Sequence, residues 1–170
     1  MKLKQALLQC DPNSASDLEQ LYLDYRDQES LFHQLLEFLA DEQLQQVASW
    51  LIKKYLEQSD VKACASQSSL LIQYLSVKTF WQVRLHILQS LPYCIFSPQD
   101  KNVLAFYLRE NLADENKFIR SWAYNGFHCL SIQFTEYKAE VAQFFQLALQ
   151  DEAPSVKARI RQILKKTKSY

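Results

Sequence analysis

The fold of this chain is decided by the stretch DENKFIRSWAYNGFHCL, residues 114–130. An acidic pair and a polar link open the stretch, and apolar residues then recur at the spacing of a helix. The same outline returns downstream as DEAPSVKARIRQIL, residues 151–164, and upstream as KTFWQVRLHILQSL, residues 78–91. Each copy carries an apolar residue followed by a basic one: Val83-Arg84, Ile119-Arg120 and Val156-Lys157. These pairs stand 36 and 37 residues apart, and such a period predicts stacked helical hairpins.

Turn-forming residues are scarce among the 170 residues of the chain. Glycine occurs once, at Gly126, and proline four times, whereas 48% of the residues are hydrophobic and 13% are aromatic. Strand-rich folds need many turns built from Gly, Asn and Pro, so the composition predicts an all-α fold with a sizeable core. Phosphate-cradling loops and dinucleotide-binding fingerprints need several glycines in one turn, and both are therefore excluded.

Helical periodicity and cap residues predict about nine helices joined by short links. A charged patch at residues 26–29 predicts a break in the first long apolar pattern. The second helix of each hairpin is predicted to begin near Glu42, Thr79, Asn116 and Pro154. We expect a single domain over residues 1–170, with an N-terminal helical cap at 1–40 and the repeats at 41–170.

Acidic links precede two of the repeats, at Asp114-Glu115 and Asp151-Glu152. Apolar residues follow each apolar–basic pair one and two turns later, at Ile87/Leu91, Ala123/Phe127 and Ile160/Leu164. Together these features resemble HEAT-like repeats of the armadillo type, although Lys78 stands where a link Asp is expected. The resemblance implies a right-handed alpha-alpha superhelix of about four HEAT-like hairpins. It also implies a structural ladder between repeats, formed by Asp114, Asp151, Arg84, Arg120 and Lys157.

Charge is unevenly distributed although the formal net charge is zero. Residues 11–60 contain 11 acidic and 3 basic side chains, whereas residues 61–170 contain 8 acidic and 14 basic ones. In a solenoid, residues that are close in sequence are also close along the long axis of the molecule. We therefore expect the folded protein to keep this charge asymmetry between its two ends. The simplest interpretation is an unevenly charged surface. The functional interpretations are an anionic partner for the C-terminal half or head-to-tail association.

Cysteine usage and hydropathy predict a cytoplasmic protein. The four cysteines, Cys10, Cys64, Cys94 and Cys129, form no CxxC or Cys/His metal-ligand spacing, which is typical of buried thiols in a reducing compartment. The N-terminal apolar run is too short for a signal peptide, and no segment approaches the length of a membrane span. We therefore expect no metal, no cofactor and no membrane partner.

One stripe of side chains is predicted to line the concave face of the superhelix. The positions three residues after each repeat anchor are Trp50, His86, Trp122 and Arg159. Phe118 and Asn125 neighbour Trp122 on the same helical face. Aromatic rings beside a basic residue and amide donors suit a peptide, or bases plus phosphates. The competing interpretation is that the two tryptophans pack between repeats, that His86 is simply exposed and that Phe118 is a hydrophobic staple.

The last predicted helix, residues 154–168, is strongly basic. Lys157, Arg161, Lys165 and Lys166 are its candidate anion-binding residues. Cations near a helix C-terminus also complement the helix dipole, so a purely structural role explains them as well.

Catalytic motifs are missing from the sequence. His33, His86 and His128 form no HxxxH spacing, and no GxSxG motif or Cys/His pair with an orienting acid is present. We therefore expect no catalytic residues and a non-catalytic scaffold that binds a protein or peptide on its concave face. The alternative is nucleic-acid binding through the basic C-terminal half, as in the architecturally similar alkylpurine DNA glycosylases. Lyase-type HEAT proteins that handle bilins are a weaker possibility, because nothing marks a chromophore site.

Overall fold

The computed structural model describes residues 2–167, and this part of the chain folds into ten α-helices. The helices are α1 (Lys2–Gln9), α2 (Ala15–Tyr25), α3 (Leu31–Phe38), α4 (Gln45–Gln58), α5 (Ala65–Ile72), α6 (Trp81–Ser90), α7 (Lys101–Leu112), α8 (Lys117–Gln133), α9 (Lys138–Asp151) and α10 (Pro154–Thr167). Short 3₁₀ turns extend α5 and α6 and precede α9: Gln73–Leu75, Leu91–Tyr93 and Thr135–Tyr137. The all-α prediction is confirmed. Lys168, placed in the last helix by the sequence, lies outside the described residues.

Polar residues set the helix boundaries. The break predicted at residues 26–29 is confirmed, because α2 ends at Tyr25 and α3 begins at Leu31. Helix α8 begins after Asn116, whose side-chain oxygen accepts from the Phe118 N–H at 2.9 Å. Helix α4 begins at Gln45 rather than near Glu42, because the intervening residues form a turn in which the Asp41 carbonyl accepts from Leu44 N–H.

The helices pack as successive pairs. Helix α3 packs on α4, the 3₁₀ turn after α5 packs on α6, α7 packs on α8, and α9 packs on α10. The second members, α4, α6, α8 and α10, also lie side by side, each against the next. At the N-terminal end α1 packs on α2, and α2 packs on α4. Helix α8 therefore contacts four other helices, α6, α7, α9 and α10.

One hydrophobic cluster of buried side chains extends from Leu3 to Ile163. The only glycine, Gly126, lies in α8 at a tight point of this cluster. A Cβ there would lie 2.6 Å from Leu108 Cδ2 and 2.9 Å from Leu91 Cδ1. Because its φ is not positive, Gly126 serves close helix packing and not backbone flexibility.

Arginine–acid contacts join neighbouring helical pairs. Arg84 on α6 donates from Nη1 to Asp114 Oδ2 at 2.6 Å and to Asn111 Oδ1 at 2.8 Å. Arg120 on α8 forms a two-bond pair with Glu152, with Nε–Oε1 at 2.8 Å and Nη2–Oε2 at 3.0 Å. The rung between Arg84 and Asp114 is as expected from the sequence.

The second rung uses a different acid from the one expected. Asp151 is the last, exposed residue of α9, whereas Glu152 follows in extended conformation and turns its carboxylate toward Arg120. Lys157, which was expected to join the ladder, donates instead to the Gln150 carbonyl at 2.7 Å.

Other polar contacts repeat at nearly the period found in the sequence. Ser49 Oγ and His86 Nδ1 lie 2.9 Å apart across 37 residues, and Asn111 Nδ2 donates to the Leu75 carbonyl across 36 residues. Neighbouring pairs are thus linked through equivalent positions. Within residues 2–167, no helix is long and apolar enough to cross a membrane.

Candidate partner-binding pocket

A pocket of about 470 Å³ lies between α8, α10 and the chain segment that follows α6. Helix α10 contributes Arg159, Ile163 and Lys166, which follow the four- and three-residue spacing of one helical face. The remaining lining residues are Lys62, Pro92, Tyr93, Cys94, Ile95, Trp122, Asn125, His128, Cys129, Ile132 and Gln133. The volume falls within the range of about 300–1,000 Å³ that ligand sites occupy.

Hydrogen bonds fix the two irregular segments that line the pocket, residues 62–63 and 92–96. Ala63 N–H donates to the Tyr93 carbonyl and Ile95 N–H donates to the Ala63 carbonyl, both at 2.9 Å. The Gln133 amide at the end of α8 closes the arrangement, donating to the Cys94 carbonyl and accepting from the Phe96 N–H, each at 2.9 Å. These bonds join the segment at Ala63, the segment from Tyr93 to Phe96 and the end of α8. They therefore hold the backbone of Lys62 and Ile95 in place at the pocket edge.

The central polar group of the pocket is the guanidinium of Arg159. Its Cζ lies 3.9 Å from the ring centroid of Trp122, which is cation–π contact. Among the described residues, no side chain or carbonyl accepts a hydrogen bond from this guanidinium, and no carboxylate pairs with it. Arg159 is only partly exposed, and burial lowers the pKa of its guanidinium below the ordinary value.

The ladder and surface arginines show the opposite behaviour. The hydrogen bonds with Glu152 raise the pKa of Arg120, and those with Glu140 raise the pKa of Arg109. A paired guanidinium is favoured in its charged form, whereas an unpaired one in a partly buried site is disfavoured. The charge of Arg159 is therefore partly removed from water, and no acid or hydrogen-bond acceptor among the described residues compensates for that loss.

Cationic and aliphatic groups surround Arg159. Lys62 and Lys166 are exposed at the pocket edge, and no Asp or Glu occurs among the described residues that line the pocket. Ile95 and Ile132 are also exposed, the latter to 63%. The pocket thus combines positive charge with solvent-facing aliphatic surface.

Comparison with known proteins identifies no relative. No family model, no curated protein and no solved structure matches the chain. What this pocket binds therefore has to be inferred from its own residues.

The structure brings three of the predicted stripe residues into this pocket: Trp122, Asn125 and Arg159. The other three lie elsewhere. Trp50 packs against the core with Lys53 Nζ at 5.2 Å from its ring centroid, and Phe118 is 53% exposed near the start of α8. His86 bonds to Ser49 on the neighbouring α4 and is partly buried. The predicted stripe is therefore divided, and only its C-terminal part faces one pocket.

His86 is neutral at physiological pH. Burial, with a further contribution from the positive charge of Lys53, lowers the pKa of His86 to about 3. The imidazole therefore serves as a neutral hydrogen-bond partner of Ser49, a role that joins α4 to α6.

The predicted anion-binding residues also have different surroundings. Lys157 is engaged with the Gln150 carbonyl, and Lys165 has a further interaction of its own. Arg161 is exposed on α10 and lies outside the pocket lining, whereas Lys166 is at the pocket edge. Of the four residues, Lys166 is the one that can act together with Arg159.

The two thiols at the pocket are held in their protonated, poorly nucleophilic form. Burial raises the pKa of both Cys94 and Cys129 to about 12, so the thiolate is scarce at neutral pH. Burial also lowers the pKa of His128. No group of three metal-ligating side chains is assembled anywhere in residues 2–167.

Sequence periodicity could have added part of the lining to the predicted site. His128 and Ile132 extend the face of α8 that carries Trp122 and Asn125, and Ile163 extends the face of Arg159. Lys62 and Ile95 belong to irregular segments joined by long-range backbone bonds. No local pattern in the sequence encodes that pairing.

Proposed function

We propose that this chain is a non-catalytic interaction module that binds a protein or peptide partner in the pocket between α8 and α10. The observation that carries the proposal is the Arg159 guanidinium, which lies on the Trp122 ring with no acidic partner among the described residues. Trp and Arg are the residues most enriched at the energetic centres of protein interfaces. Here the two side chains are in direct contact.

The energetics favour an external anion over a structural role for Arg159. Partial burial of a charge costs free energy unless a counter-charge or hydrogen-bond acceptors compensate. Arg120 obtains that compensation from Glu152, whereas among the described residues Arg159 obtains only the ring contact with Trp122. A partner that brings an acceptor into the pocket would supply the acceptor that residues 2–167 do not provide.

The surroundings of Arg159 support binding over catalysis. Exposed Ile95 and Ile132 offer apolar contact area beside the charge, which is the usual composition of a recognition site. The Cys94 and Cys129 thiols are protonated at neutral pH because their pKa is about 12, so they are poor nucleophiles.

We further infer that the helical pairs form a HEAT-like superhelix, with α4, α6, α8 and α10 on its concave side. The side-by-side packing of these four helices supports this inference. So do the Arg84–Asp114 and Arg120–Glu152 rungs between successive pairs. On this interpretation the pocket lies at the C-terminal end of the concave face, where a peptide could enter from the open side.

Selection from a library of random peptides displayed on phage tests the proposed function. With the full chain immobilised, we expect enriched peptides that lose affinity by about tenfold or more on Ile132→Glu, because that substitution places a carboxylate at the pocket edge. Leu147→Glu is the matched control, since Leu147 is a 51% exposed aliphatic residue on α9 outside the pocket. It should leave affinity within about twofold.

Two results would contradict this assignment. One is the absence of any enriched peptide, and the other is a set of peptides that binds Ile132→Glu as well as the unchanged protein. Nucleic-acid binding remains the alternative because Arg161 and Lys166 are exposed on α10. It would be favoured if a single-stranded oligonucleotide bound the chain, lost affinity steeply with added salt and lost it on Arg161→Glu.

A further inference from the structure

We propose that the pocket recognises a carboxylate side chain next to an aliphatic side chain in the partner peptide, with Arg159 as the carboxylate receptor and Trp122 as its positioning residue. This inference rests on the proposed function and names the chemistry of its ligand. It follows from three features of the lining: the guanidinium on the Trp122 ring, the exposed isoleucines, and the residues from the last turns of α8 and α10.

The geometry of Arg159 suits the binding of a planar anion. Its Cζ is 3.9 Å from the Trp122 ring centroid, so one side of the guanidinium is covered by the indole. The N–H donors of a guanidinium form a fork in one plane, which matches the two oxygens of a carboxylate. None of the described residues accepts from those donors, so the fork is available to a ligand.

The ends of two helices disfavour a doubly charged phosphate more strongly than a singly charged carboxylate. The pocket is lined by Gln133 at the last position of α8 and by Lys166 in the last turn of α10. A helix C-terminus presents carbonyl oxygens and the negative end of the helix dipole. Phosphate sites commonly use helix N-termini, whose N–H groups donate to the anion, and a dianion is poorly suited to this pocket.

The aliphatic side chains of the pocket suit the second part of the ligand, its aliphatic residue. Ile95 and Ile132 are 48% and 63% exposed at the edge, and Ile163 lies in the lining of the same pocket. A volume of about 470 Å³ holds a few side chains and not the face of a folded domain. An Asp or Glu beside Leu, Ile or Val would place its carboxylate on Arg159 and its apolar neighbour on the isoleucines.

The experiment measures the affinity of peptides selected on the full chain, together with versions in which each acidic residue is replaced by its amide. We expect the selected set to be enriched in an acidic residue beside an aliphatic one. Replacement of that acid by the amide should weaken binding about tenfold or more, because a charge-assisted bidentate bond is lost. A phosphoserine at the same place should bind less tightly than the acid.

Charge reversal tests the receptor residue directly. Arg159→Glu should weaken the acidic peptide about a hundredfold and should bind the peptide better when Lys replaces its acid. Arg161→Glu is the matched control, because it changes the net charge equally from an exposed position two residues away, outside the pocket. It should alter affinity by no more than about threefold.

To test the role of Trp122, we need a measured quantity that does not change when packing alone is lost. The ratio of two peptide affinities is such a quantity. Trp122→Leu should reduce the ratio of affinities for the acidic and amide peptides, because the guanidinium is no longer held in place. If packing alone mattered, both affinities would fall together and the ratio would stay constant.

The outcomes separate the two proposals. If peptides are sensitive to Ile132→Glu but show no preference for the acid over the amide, or prefer phosphoserine, the carboxylate assignment is wrong and the peptide-binding function stands. If no peptide depends on the pocket, both are wrong. If Arg159→Glu and Arg161→Glu weaken binding equally, general charge attraction explains the binding and Arg159 is not the receptor.

Discussion

Arg120 and Arg159 occupy successive second helices of the protein and have opposite surroundings. Arg120 forms two hydrogen bonds with Glu152 and two with the carbonyls of Asp114 and Glu115. Arg159 touches the face of Trp122 and has no acid or carbonyl acceptor among the described residues. The first guanidinium is bound by acceptors of the chain itself, whereas the second has no such acceptor among residues 2–167.

The difference follows from where each arginine stands relative to the apolar anchor of its helix. The ladder arginines follow an apolar anchor directly and point toward the link of the next pair, where Asp114 and Glu152 supply acids. Arg159 stands three residues after its anchor Val156, at the repeat position that Trp122 occupies on α8. A shift of two residues along the helix thus moves a guanidinium from an acidic link to a pocket without acids.

Removal of a ladder acid should have the largest effect on stability. Asp114→Ala leaves Arg84, which is 6% exposed, without its counter-charge, and it also removes an acceptor for the Asn116 N–H. We expect the free energy of unfolding to fall by about 3 kcal/mol, measured by urea denaturation. Asp151→Ala is the control, because Asp151 is exposed, and its cost should stay within about 0.5 kcal/mol. Equal costs would show that the ladder assignment is wrong.

The neutral His86 should make the fold sensitive to acid. Its pKa is about 3 in the folded protein and about 6.5 in an unfolded chain, so only the unfolded state takes up this proton as the pH falls through that window. Stability from this group is present above about pH 6.5 and is lost as the pH approaches 3. We expect His86→Asn to reduce the slope of unfolding free energy against pH by up to about 1.4 kcal/mol per unit between about pH 4 and 6.

A matched substitution controls for the pH prediction. Gln89 lies on the same helix as His86, and Gln89→Asn changes no titratable group, so it should leave that slope unchanged. If His86→Asn also leaves the slope unchanged, His86 is protonated in the folded state and its bond with Ser49 does not require the neutral ring.

An exposed ion pair should contribute less to the free energy of unfolding than a buried one. Arg109 forms two hydrogen bonds with Glu140 at 2.7 and 2.9 Å, but its side chain is 47% exposed. We expect Arg109→Gln to cost about 0.5 kcal/mol at low salt, and the cost should shrink in concentrated salt because the pair is screened. A cost that equals that of Asp114→Ala would show that pairing, and not burial of the pair, sets the strength of the ladder.

The sequence predicted the all-α class and several helix boundaries because local periodicity and cap residues determine them. The all-α composition, the break before Leu31 and the start of α10 at Pro154 follow from helical spacing and from cap residues. The rung between Arg84 and Asp114 follows from the repeat. Glu152 replaced Asp151 in the other rung because α9 continues through Asp151, and the exact end of a helix is poorly encoded in sequence.

The candidate site was only partly accessible from sequence. Trp122, Asn125 and Arg159 share a repeat position or its neighbour, and the structure brings them together. Their role in binding stays a prediction. Lys62 and Ile95 reach the pocket through the backbone pairing of Ala63 with Tyr93 and Ile95, which is a long-range contact without a local signal.

The most direct test of the difference between the two arginines is the free energy of unfolding of Arg120→Gln and Arg159→Gln, measured side by side by urea denaturation of the full chain. Arg120→Gln should lose about 2 kcal/mol, because Glu152, 14% exposed at its side chain, is left unpaired. Arg159→Gln should remain within about 0.5 kcal/mol of the unchanged protein, because no acid among the described residues pairs with it. If Arg159→Gln loses as much stability as Arg120→Gln, Arg159 belongs to the fold and is not kept for a partner.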